Sequence, residues 1–141
     1  MRFRLHLVVG ALTTTSCATK PPEVPRELPT GYERYRLPTA CADSSNRTAP
    51  LPTNYEDVQS SAALVRPDLV SRTSAVRVAF LWYFIREDGS TADVRLWRSS
   101  GSQPIDQLAL ELGPRMRWRP ATCAGQPYAR WYGHPIAIGG R

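Results

Sequence analysis

The residues of this 141-residue chain that could do chemistry are few: three cysteines, two histidines and a scatter of serines and acids. Catalysis needs a nucleophile or an acid and base held close together. His134 stands beside Pro135 with no partner in sequence, and His6 lies in an apolar N-terminal segment. Ser99-Ser100-Gly101 lacks the Gly-x-Ser-x-Gly elbow of hydrolases and reads better as a turn and helix cap. Asp88 belongs to a turn, and Asp93 alternates outward on a strand. There is no glycine-rich phosphate loop, no Cys-x-x-Cys pair and no repeated metal spacing. These residue types at these spacings predict a protein that is not an enzyme, with no cofactor and no metal.

The cysteines imply processing instead. Met1-Arg2-Phe3-Arg4, the apolar run Leu5 to Leu12 and the small residues up to Ser16 have the three parts of a secretory signal, expected over residues 1–16. The run is shorter than the roughly 20 residues a membrane-spanning helix needs. Cys17 after Ser16 resembles a bacterial lipoprotein box, which makes it the candidate lipidation site, although Thr14 stands where such boxes usually carry Leu. Simple secretion and an uncleaved anchor are the alternatives. With Cys17 lipidated, Cys41 and Cys123 remain as a candidate disulfide in an oxidising compartment, the alternative being two unrelated thiols.

Something must hold these groups. The formal charge is +6, but Lys20 is the only lysine and the arginines are scattered, which argues against nucleic acid as a partner. Pro21, Pro22, Pro25, Pro29, Pro38, Pro50 and Pro52 mark residues 17–60 as a lipid-anchored, extended linker, with Tyr32, Tyr35, Leu37 and Cys41 lying down on the domain. Val58, Ala62, Ala63 and Val65, with Glu56 and Asp57 ahead of them, predict a short helix stopped at Arg66-Pro67, and Pro67 starts a further turn.

The strongest pattern is Val76 to Ser99. Val76, Val78, Phe80, Trp82 and Phe84 recur every second residue, as do Ala92, Val94 and Leu96, and Asp88-Gly89 between them supplies a tight turn. A β-hairpin follows, with one buried face, Asp93, Arg95 and Trp97 opposite, and Leu81, Tyr83 and Ile85 needing a further cover. Ile105, Leu108, Ala109 and Leu112 predict one face of a helix, with Asp106, Gln107 and Glu111 outside. Met116 and Trp118 form a short strand, Cys123 to Gln126 a turn, and Pro127 to Ile138 a last strand, placed at a sheet edge by Pro135.

Asp88-Gly89-Ser90, Asp93-Val94, Ser99-Ser100-Gly101, Ile105-Asp106 with Ala109, Trp118, Pro120-Ala121, Gly125 with Pro127, and Pro135-Ile136, in this order, resemble the C-terminal domain of the TonB energy-transducer family. The resemblance implies an α+β domain over residues 61–141: a three-stranded antiparallel sheet with one or two helices on one face. It further implies a periplasmic protein-interaction module that pairs its sheet edge with an extended peptide of an envelope or outer-membrane transport protein, a TonB-dependent receptor being the family's partner. The residues placed at that interface are Tyr128, Arg130, Trp131, Tyr132, His134 and Ile136. The expected location is the periplasmic side of the cell envelope, by a lipid anchor in the outer membrane. The family's energy-transducing members keep an uncleaved membrane helix, where this chain is expected to carry a short signal and a lipidated cysteine. A structural envelope lipoprotein with a passive scaffold domain is the alternative.

Overall fold

The computed structural model describes Cys41 and residues 44–139. The architecture is α+β, with small antiparallel sheets and few helices. A 3₁₀ turn at Ser44–Asn46 leads to β1 (Arg47–Thr48), β2 (Leu51–Pro52), α1 (Tyr55–Val65) and α2 (Pro67–Arg72). The hairpin β3 (Arg77–Ile85) and β4 (Thr91–Arg98) precedes α3 (Gln103–Leu112). The chain ends with β5 (Trp118–Arg119), β6 (Ala121–Cys123), β7 (Gln126–Tyr128) and β8 (Arg130–Ile138). The main sheet has the order β4-β3-β8, all antiparallel. Two smaller ladders stand beside it, β1-β6-β7 and β2-β5, where the sequence predicts one sheet only.

The folded body therefore starts before residue 61, the expected first residue of the domain. That boundary falls inside α1, and β1 and β2 are already paired to β6 and β5. No helix among the described residues is long and apolar enough to cross a membrane.

The core corrects the predicted sheet face. Leu81, Tyr83 and Ile85 are fully buried with Ala79, and they pack with Ile105, Leu108, Ala109 and Leu112 of α3 and with Val58 and Ala62 of α1. Phe80, Trp82 and Phe84 take the opposite face. Because Tyr83 lies opposite Val94 and Phe84 opposite Asp93, the alternating set of β4 shares a face with Leu81 and Tyr83. Since β3 is apolar on both sides, its periodicity cannot choose a face. The amphipathic helices choose it.

Side chains tie the pieces together. Asn54, at the start of α1, bonds outward and not to its own helix: its Nδ2 donates to the Arg115 carbonyl at 3.0 Å and its Oδ1 accepts from the Arg117 N–H at 2.8 Å. Asp106 is also placed differently from expectation. It is buried in the first turn of α3, where its carboxylate accepts from the Ser99 hydroxyl and, at 2.7 Å, from the Ser100 N–H. Burial pushes its pKa up, but the Ser99 and Ser100 donors outweigh it and hold the carboxyl below the usual value. The Ser-Ser-Gly loop is thereby locked to the helix it introduces. Replacing Asp106 by Ala is expected to cost about 1–3 kcal/mol, the range for hydrogen bonds to a buried charged group. Urea unfolding at neutral pH would measure it. The native carboxyl titrates below its unfolded counterpart, so this stabilisation is present above pH of about 4 and lost as pH falls through the lower, native pKa. In the Ala variant that acid loss should shrink.

Candidate functional site

β8 is built by its neighbours. All nine of its residues pair with β3 in an unbroken antiparallel register, from Ile138 against Arg77 to Arg130 against Ile85. On its other side it borders no strand among the described residues. The expected long strand from Pro127 is in fact two. Gln126–Tyr128 belongs to a hairpin with β6 across an Ala124-Gly125 turn, and Ala129 separates it from β8. Tyr128 is therefore on the small sheet, buried against Cys41, Ala121 and Cys123, and touches the edge strand by its hydroxyl, which accepts from Arg130 Nη1 at 3.2 Å.

The other expected contact residues divide by alternation. Tyr132, His134 and Ile136 point to the helix side. Ile136 is fully buried there and can offer a partner main chain only. Tyr132 and His134 are half-buried, with the imidazole edge-on to Tyr55 at 5.2 Å and to Trp118 at 5.5 Å. Trp131 lies on the opposite face, buried against Phe84, with the Arg95 guanidinium 5.3 Å from its ring centre. Trp97, on β4, stacks on Trp82 at 4.8 Å and is half-buried.

In an antiparallel ladder opposed residues alternate between bonded pairs and pairs whose N–H and C=O point away. Pro135 has no N–H, and alternation sets Trp131, Gly133 and Ala137 in the same outward-pointing class. Three of these four carbonyls already hold a side-chain donor. Arg130 Nε donates to the Trp131 carbonyl at 3.2 Å, His134 Nδ1 to that of Pro135 at 2.9 Å, and Gln59 Nε2 of α1 to that of Ala137 at 3.0 Å. A carbonyl only accepts, so the His134 proton sits on Nδ1. Burial pulls the imidazole pKa below its usual value, against the opposing pull of the Pro135 carbonyl, which leaves the ring neutral at neutral pH. Capping of this kind is how proteins blunt an edge against uncontrolled pairing. The sequence carries a signal for Pro135, but none for Gln59, whose partner lies 78 residues away.

Cys41 and Cys123 form a disulfide with Cα atoms 5.7 Å apart, and both are buried. Cys17 lies outside the described residues. Among the described residues no three His, Cys, Asp or Glu side chains converge in a way that could hold a metal. The buried Tyr83 hydroxyl has no hydrogen-bond partner among them, and burial raises its pKa strongly, with Tyr55 adding to the rise. No known family model matches this chain, and no curated protein matches it either.

Proposed function

We propose that the chain is a binding module of the bacterial envelope that pairs the outer side of β8 with an extended peptide of another envelope protein. On this reading it resembles the C-terminal domain of TonB transducers, is tethered through its Pro-rich linker to lipid on Cys17, and is not an enzyme. The supporting observation is the edge itself: nine residues fully paired on one side and, among the described residues, flanked by no strand on the other. Added strands gain affinity from backbone bonds and selectivity from alternate side chains. The proposed role is grip on an envelope or outer-membrane transport protein, with lipid on Cys17 holding the domain at the membrane.

A second reading, a passive scaffold lipoprotein, draws on the three capped carbonyls. Displacing each cap costs about 1 kcal/mol, a barrier that bound peptide must offset.

The two part on a crosslinking experiment in cells. Benzophenone-alanine in place of Ala137 on β8 is expected to capture one envelope protein, whereas the same group in place of Ala92 on the β4 edge is expected to capture none. Equal capture from both edges, or from neither, would favour the scaffold.

A further inference from the structure

Gly133 differs from every other outward-pointing position of β8. Its carbonyl receives no side-chain donor among the described residues, unlike those of Trp131, Pro135 and Ala137, and it has the N–H that Pro135 lacks. It is also where the strand has no side chain beside a large aromatic surface. A Cβ on Gly133 would stand 2.8 Å from Trp97 Cζ3 and 3.5 Å from Trp82 Cζ3, so the two stacked indoles close over the bare backbone. Both rings are half-buried.

We infer that Gly133 sets the register of the incoming peptide and that, with Trp82 and Trp97, it forms a subsite for one large apolar side chain. This rests on the reading of β8 as the docking edge. Gly133 presents the complete donor and acceptor pair, so pairing starts there. A partner residue set opposite it projects its side chain to the same sheet face, beside the Trp97 ring.

The test uses the disulfide-intact chain and blocked heptapeptides of six threonines around a central Leu or Ala, followed by amide chemical shifts. The Leu peptide is expected to bind about tenfold more tightly than the Ala peptide, with the Gly133 amide moving most. Trp97→Ala, which removes the floor, and Gly133→Ala, which displaces it, should both erase the Leu preference, with thermal midpoints confirming that they fold. If the peptides shift β8 amides with no preference at the centre, or with Gly133 unmoved, the subsite is refuted and the docking edge stands. If no peptide shifts any β8 amide, both fall.

Discussion

Loss of the Cys41–Cys123 bond is expected to remove about 2–4 kcal/mol of stability, the usual range for a disulfide that closes a long loop. The bond spans 82 residues, so the unfolded chain it restricts includes nearly the whole folded body. Serine at both positions would also place two hydroxyls among Ala121 and Tyr128, in a small cluster with few apolar neighbours to absorb them. The damage should fall first on β6 and β7, because the main core of β3, α1 and α3 contains neither cysteine. Urea unfolding of the oxidised chain and of the double serine variant checks this. A difference under 1 kcal/mol would mean that the β1-β6-β7 ladder holds by itself.

The second large effect is expected at Gly89. The predicted Asp-Gly turn is present, but only Gly89 has positive φ, at 80°, and Asp88 does not share it. The Gly89 N–H returns to the Arg86 carbonyl at 3.0 Å and the Arg86 N–H to that of Ser90 at 2.9 Å, a turn closed by a glycine bulge. A Cβ at Gly89 would lie 2.0 Å from the Trp118 carbonyl oxygen, while the Trp118 N–H bonds to the Gly89 carbonyl at 3.0 Å. Gly89→Ala thus meets two penalties, left-handed backbone at about 1–2 kcal/mol and displaced main chain at about 1–3 kcal/mol. The expected total is about 2–5 kcal/mol, read from thermal or urea unfolding. A variant as stable as the parent would show that the chain at Trp118 does not press on the turn.

Much of the frame is legible in the residues because period two and Asp-Gly are local signals. The hairpin, the helix ending at Arg66-Pro67 and the helix carrying Ile105 to Leu112 all come from spacing within one segment. What is not legible depends on segments far apart. β3 is apolar on both faces, so which face is core waits on α1 and α3. Asp106 falls off the apolar stripe of its helix, and only the fold of Ser99 and Ser100 back over it turns an outward carboxylate into a buried one. Tyr128 and Arg130 belong to one apolar run and to two sheets. At the proposed site, Pro135 marks an edge, but the caps on the Trp131, Pro135 and Ala137 carbonyls come from side chains whose reach no pattern encodes.

Backbone hydrogen exchange in the presence of the segment captured from Ala137 is the most direct measurement. If β8 receives a partner strand, exchange should slow at the outward amides of Trp131, Gly133 and Ala137 while Ala92, Val94 and Leu96 on the β4 edge keep their rates. Slowing on β4, or unchanged rates along the whole of Arg130–Ile138, would contradict it.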